Sequence, residues 1–252
     1  MRKIRLVIEY DGKKFSGWQI QPEVRTVQGE LHQALQTVLR SEAVSRPIAS
    51  GRTDAGVSAR RQVVCFEAPV EEEMLRKIQV GVSSILKSEV SVLSASFVSD
   101  EFHPIHDVMR KQYSYAVWNH PSPPALQFGY VMHVIEPLDI DIMRHESECL
   151  IGTHDFSSFR GHGCGARSPV RCIEEITIER RGELVLFEFQ GKGFLKQMVR
   201  NLVGTLIEYG RRSGKLQSCR EVLESCDRRC AGPTAEPWGL SLDWVEYPEG
   251  KL

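Results

Sequence analysis

The chain has 252 residues, 41% of them hydrophobic and 26% charged, which is enough apolar content for a substantial core in one large domain or two small ones. A formal net charge of −1 excludes nucleic-acid binding through bulk positive charge and leaves room only for a locally basic face. Charges alternate with aliphatic residues through Met1-Arg2-Lys3-Ile4-Arg5-Leu6, and no apolar run reaches the ~18 residues of a membrane span, so a cytoplasmic protein is expected.

In chain order, Ile4, Leu6, Ile8 and Tyr10 alternate as in a half-buried strand. Thr26 then caps a helix whose Val27, Leu31, Leu35 and Val38 recur at helical spacing. Residues 44–49 and 62–66 read as two short strands around Ser50-Gly51-Arg52-Thr53-Asp54-Ala55-Gly56-Val57. Gly51 and Gly56 permit backbone angles closed to other residues, and Thr53 and Asp54 can fold back onto nearby amides, so this loop is expected to be compact. It holds Asp54 in a glycine-bounded turn between strands, a good place for a catalytic carboxylate, although an Asp-Ala-Gly of this kind often only caps the backbone. Residues 71–86 form a second predicted helix, with Leu75, Ile78, Val82 and Ile85 on one face, and residues 90–98 a further strand.

After the Phe102-His103-Pro104 loop, Tyr113, Tyr115 and Val117 alternate in a new strand, and Asn119-His120-Pro121-Ser122-Pro123-Pro124 marks a loop. Asp139 opens a helix, residues 171–181 and 183–190 make a hairpin around Arg181-Gly182, and residues 194–209 carry the strongest helical pattern. Residues 216–226 read as a weaker helix, and Leu240, Leu242 and Trp244 mark a closing strand. The order β-α-β-β-α-β therefore occurs twice, the second time with a helix added. It predicts an α+β protein of two ferredoxin-like (RRM-like) βαββαβ repeats, residues 1–108 with the Asp54 loop and residues 109–252 with a basic helix. The expected sheets are antiparallel-rich, with helices on one side and open faces that suit RNA.

In residues 194–209, Leu195, Met198, Val199, Leu202 and Leu206 form a core stripe. Lys196 and Arg200, four residues apart, are expected as neighbours on another face, with Lys192 extending that positive edge. A single lysine on such a helix is ordinarily just a solvated cation. Arg200 abuts the apolar stripe, and a half-buried guanidinium calls for a carboxylate that accepts two parallel hydrogen bonds; Asp54 is the candidate. Tyr113 and Tyr115 are candidates for sheet packing or for stacking on a base. The seven cysteines, scattered and without a Cys-x-x-Cys pair, predict reduced thiols rather than disulfides or structural zinc.

Together these segments resemble the bacterial tRNA pseudouridine synthases of the TruA family, and they do so over nearly the whole chain. The matching stretches are Tyr10-Asp11-Gly12 with Phe15-Ser16-Gly17-Trp18-Gln19, Thr26-Val27-Gln28-Gly29, Gly51-Arg52-Thr53-Asp54-Ala55-Gly56-Val57, Tyr113-Ser114-Tyr115, and His154-Asp155-Phe156-Ser157-Ser158-Phe159-Arg160. Phe194 through Met198-Val199-Arg200-Asn201-Leu202-Val203-Gly204, and Ala231-Gly232-Pro233-Thr234-Ala235 with Gly239-Leu240, complete the set. The resemblance implies a pseudouridine synthase fold and isomerisation of uridine to pseudouridine at positions 38, 39 and 40 of the tRNA anticodon stem-loop. It also implies a homodimer and neither metal nor organic cofactor. It makes Asp54 the catalytic aspartate, Arg52 the residue that assists extrusion of the target nucleotide, Tyr113 the ring that stacks on uracil, and Arg200 the partner of Asp54; Lys192 and Lys196 are expected to contact RNA. Three positions depart from the family pattern: Ser58 stands where His is usual, Arg61 where Gly commonly precedes Gln-Val, and Ile105 where Arg often follows Phe-His. Those departures motivate an alternative, a noncatalytic tRNA-binding or RNA-folding protein on the same fold. A metal-dependent hydrolase at His154-Asp155 is a weaker reading, because no second histidine and carboxylate set stands at ligand spacing.

Overall fold

The computed structural model describes residues 1–212, 214 and 216–251. The elements run β1 (Arg2–Tyr10), α1 (Val27–Leu39), β2 (Ile48–Ala49), β3 (Ser58–Ala68), α2 (Met74–Ile85), β4 (Val90–Phe97), β5 (Arg110–Asn119), β6 (Met132–Val134), α3 (Ile140–Ser147), β7 (Gly152–Asp155), β8 (Val170–Arg181), β9 (Leu184–Gly191), α4 (Met198–Gly210), α5 (Cys219–Glu224) and β10 (Leu240–Glu246). They form a mixed α and β structure dominated by antiparallel strand pairs. The chain divides into two compact units, Met1–Arg110 with Ser241–Leu252, and Lys111–Leu240.

In the first unit β1 lies between β4 and β3, antiparallel to both. One half of β3 pairs with β2 through Ile48 opposite Cys65, and its beginning pairs in parallel with β10 through Ser241 opposite Ser58. The pleat sends Ile4, Leu6, Ile8, Val64 and Phe66 to one face, where they are buried with Leu31 and Leu35 of α1 and Ile78 and Val82 of α2. Thr26 caps α1 by accepting from the Gly29 amide, as its position before an apolar-periodic run predicts. The opposite face carries Arg5, Val7, Val63 and Cys65 in register. Part of it is closed by a second apolar cluster in which Val63, Cys65, Phe102, Val108 and Tyr247 meet, and Tyr247 donates its hydroxyl to the Pro104 carbonyl at 2.7 Å.

In the second unit the strands run β7-β8-β9-β5, all antiparallel, with β6 alongside β5 in parallel. Gly182, with φ +62°, turns the β8–β9 hairpin between Arg181 and Leu184. Tyr115, Val117, Val185, Phe187 and Phe189 are fully buried, as are Met143 of α3 and Leu202, Val203 and Leu206 of α4. The helix predicted over 194–209 starts four residues late. Gln197 takes φ 59°, a left-handed conformation that breaks the helical path, so Lys192 and Lys196 precede α4 and do not share a face with Arg200.

Candidate active site

Asp54 sits half-buried on the loop joining β2 to β3, between exposed Arg52 and Ala55 and next to buried Thr53. The Val57 amide donates to the Asp54 carbonyl at 3.1 Å, closing a four-residue turn whose third residue, Gly56, has φ +82°. That is the turn geometry in which glycine is favoured at the third position. Gly51 is not among the positive-φ glycines. The base of the loop is pinned by Gln62, which accepts from the Ser50 hydroxyl at 2.6 Å and donates to the Gly51 carbonyl at 3.0 Å.

The other side of the loop is held by the chain following β1. Tyr10 and Thr53 share a buried hydroxyl–hydroxyl bond of 2.8 Å, and burial pushes the Tyr10 phenol up to about 12, which keeps it protonated. The Trp18 amide donates to the Thr53 carbonyl at 3.0 Å. Gly17, at φ +91°, passes so close that a Cβ there would lie 2.9 Å from the Thr53 carbonyl and 3.1 Å from the Ala55 amide. A Cβ on Gly12 would lie 2.1 Å from the Val57 carbonyl. The loop is therefore fixed by residues some forty positions away, and Asp54 stands on a braced support.

In the second unit Tyr113 of β5 is nearly buried and meets the Phe194 ring edge-on, with centroids 5.3 Å apart. Tyr115 belongs to the core, its hydroxyl donating to the Glu236 carbonyl at 2.6 Å. Arg200 in the first turn of α4 is half-buried, and its Nε donates to the Ala235 carbonyl at 2.7 Å while the Ala235 amide returns a bond to the Arg200 carbonyl. Residues 231–235 lie flat on α4, because a Cβ on Gly204 would stand 1.8 Å from the Pro233 carbonyl. Arg228 binds this packing together through Asn201, Thr234 and the Gly232 carbonyl. Burial lifts the Glu236 carboxyl above its ordinary value, and the Arg200 charge opposes that shift. Lys192 and Lys196 are exposed, and Lys196 donates to the His162 carbonyl at 3.0 Å.

Residues 147–248 match the family model described as tRNA pseudouridine synthase. A tRNA pseudouridine synthase A from Methylobacterium nodulans is 42% identical, covering 100% of this chain and 98% of that protein. Those from Pelobacter propionicus and Pseudomonas aeruginosa are each 40% identical over 98% of this chain, covering 100% and 86% of their own lengths. The chain belongs to the tRNA pseudouridine synthase A family.

Membership makes the protein a pseudouridine synthase, an isomerase. Ser58 supports the loop with its own hydroxyl, which accepts from the Gly12 amide at 3.0 Å. Arg61 is exposed on β3, on the face shared with Val63. Ile105 is exposed in a turn braced by others, the His103 amide donating to Asp107 at 2.7 Å and the Ile105 amide to the His103 ring. The glycine-rich residues 161–165 are tied down by Arg160, which donates to the Ala166 carbonyl, and by the Gly161 amide on the Lys196 carbonyl. His154 and Asp155 serve local backbone contacts, on the Ile151 carbonyl and the Ser157 amide. Among the described residues no group of three or more His, Cys, Asp or Glu is arranged to hold a metal ion, and no helix is long and apolar enough to cross a membrane. The clamp made by Tyr10, Gly12, Gly17 and Trp18 is not legible in the sequence: two glycines and two aromatics stand beside a predicted strand, but nothing in their spacing names the loop they hold.

Proposed function

We propose that the protein isomerises uridine to pseudouridine at positions 38, 39 and 40 of the tRNA anticodon stem-loop, with Asp54 as the catalytic carboxylate. The observation that carries this reading is the clamped Asp54 turn, in which a half-buried carboxylate stands on a loop fixed on both sides. The reaction exchanges an N1 glycosidic bond for a C5 bond, and the C5 proton leaves to solvent while another takes up position at N1; no oxidant or group donor is consumed. A carboxylate, with a reference pKa of ~3.9, is ionised at neutral pH and needs no activating base. It serves either by attack on the nucleoside or by removal of a proton from the sugar.

The target nucleotide must leave its stack before its C1′ and C6 are reachable. In this reading Arg52, exposed beside Asp54, fills the vacated space, Tyr113 stacks on the uracil, and Arg200 pairs with Asp54 in the working enzyme. Lys192 and Lys196, both exposed, contact phosphates. The chain is read as two βαββαβ copies over residues 1–108 and 109–252, a view supported by the antiparallel order β4-β1-β3-β2 in the first unit. The working form is taken to be a cytoplasmic homodimer, and the exposed apolar side chains of Leu126, Phe128 and Tyr130 support a protein interface.

The test is tritium release from unmodified tRNA carrying uridine labelled at C5. The protein is expected to release tritium, and Asp54→Ala to release none while still binding tRNA; product mapping then names the positions. Unchanged turnover in Asp54→Ala removes the aspartate from the mechanism, and tight binding without release by the intact protein leaves a noncatalytic binder.

A further inference from the structure

The face of the first unit's sheet opposite α1 and α2 holds a cleft of about 540 Å³ whose lining includes Arg5, Arg61, Arg110, Glu246, Trp244 and Tyr247. Three guanidinium groups against one carboxylate leave an excess of positive charge there, on a chain whose formal net charge is −1. Glu246 is engaged by Arg110, whose Nε donates to it at 3.0 Å, and the Arg110 guanidinium lies 5.5 Å from the Trp244 ring centre. Arg5 stands in the middle of a strand paired on both sides, opposite Cys65 and Ser96, so neither cross-strand neighbour offers it a carboxylate. Its Nε is buried and has no hydrogen-bond partner among the described residues. Arg61 is exposed on the adjacent strand. The Arg5 side chain as a whole is half-buried and lines the cleft, and a guanidinium facing an excess of positive charge has a bidentate anion as its natural complement.

The chemistry of that anion follows from what lies beside it. Guanidinium forks next to an indole face match a phosphodiester strand, whose phosphates pair with arginine while a base finds a planar surface. Arg61 follows Asp54 by seven residues, and the chain connecting them spans at most ~25 Å. The cleft is therefore within reach, a few nucleotides away, of a strand whose target nucleotide sits at Asp54. We propose that this cleft is a second RNA subsite, in which Arg5 and Arg61 grip phosphates flanking the target nucleotide and the Arg110–Trp244 pair offers a stacking surface to a neighbouring base. The subsite rests on the reading of the protein as a tRNA-modifying enzyme, and it assigns a use to Arg61, one of the positions at which the chain departs from its family.

The experiment measures binding of unmodified tRNA at stepped salt concentrations, and tritium release, for the intact protein, Arg5→Gln, Arg61→Gln, Trp244→Leu and the control Arg76→Gln on α2. Each cleft variant is expected to weaken tRNA binding roughly five- to tenfold and to raise KM with little change in kcat; each arginine loss should lower the salt slope by about one. Arg76→Gln should match the intact protein. Arg61 is exposed, so its variant reports on the cleft even where the Arg5 substitution disturbs folding. Binding and salt slopes equal to the intact protein's in Arg61→Gln and Trp244→Leu would overturn the proposal, and an active intact enzyme in that case leaves the enzymatic reading standing. Loss of tRNA binding in these variants of a protein that releases no tritium keeps the cleft and removes the catalytic reading instead.

Discussion

Asp54 owes its position to residues that carry no charge and do no chemistry. Gly17 is the sharpest case, since it combines φ +91° with a backbone approach that leaves no room for a methyl group. Gly17→Ala is expected to cost about 1–3 kcal/mol of stability through the backbone alone. It should lower tritium release more than tenfold by shifting the Thr53-Asp54 peptide, while tRNA binding changes little. Thermal unfolding beside a release assay checks both parts; an alanine variant with normal turnover would mean that the loop tolerates the shift. Tyr10→Phe removes the 2.8 Å bond to Thr53 and the hydroxyl's interaction with Gln62, and should cost about 1 kcal/mol, with a smaller loss of rate in the same assay. The turn itself was legible in the sequence, because Gly56 supplies the positive φ that closes it. Its clamp was not, because a glycine kept for close approach looks in a sequence like a glycine kept for a turn.

At the level of elements, hydrophobic periodicity located the helices but not all of their ends. Phe194 and Leu195 continue the apolar pattern of α4, yet they precede it, Leu195 opening a turn closed by the Met198 amide on its carbonyl, and Gln197 breaks the helical path. Periodicity reports burial, and buried residues in a turn before a helix extend it falsely. The strand expected over 44–49 shrinks to Ile48–Ala49, while Ser45 keeps contact with Glu67 through a backbone and a side-chain bond. Strands β6 and β7, three and four residues long, are too short to alternate visibly. The packing of residues 231–235 on α4 yields a test with a definite sign. Helix propensity alone makes Gly204→Ala stabilising by ~1 kcal/mol. The Pro233 carbonyl, 1.8 Å from the added Cβ, reverses this and makes the substitution destabilising by about 2–4 kcal/mol, with loss of the Ala235 contact that orients Arg200. Urea unfolding distinguishes the two signs. Strand β5 supplies a pH test, since burial pushes the Lys111 ammonium down from 10.5 to about 8. The unfolded chain then binds more protons between about pH 8 and 10.5, so stability rises across that interval. Relative to Lys111→Met, the native protein should gain most of its ground above pH 8, as read from unfolding midpoints at a series of pH values; a constant difference would show a lysine with no depressed pKa.

For the whole molecule, the order of the longer elements was readable because each of them carries its own period, whereas the parallel pairing of β10 with β3 joins segments nearly two hundred residues apart that no local pattern connects. The same scale decides the assembly. Between β5 and α3 the chain exposes Leu126 at 93%, Phe128 at 74%, Ile135 at 58% and Tyr130 at 47% of their full areas. Large apolar side chains grouped this closely in sequence are costly to leave in water and are typical of the core of a protein interface. With a formal net charge of only −1, long-range repulsion between two copies is weak, so the apolar contribution decides. The protein is expected to sediment at twice the mass of the chain, and Leu126→Glu with Phe128→Glu, by placing two carboxylates in each copy of that surface, should shift it to the mass of one chain. Because both side chains are already exposed, the paired substitution should leave the unfolding midpoint of the separated chain high enough to measure. A dimer that persists in this variant would move the interface elsewhere on the surface, and a native protein that sediments as a single chain would remove the homodimer from the reading.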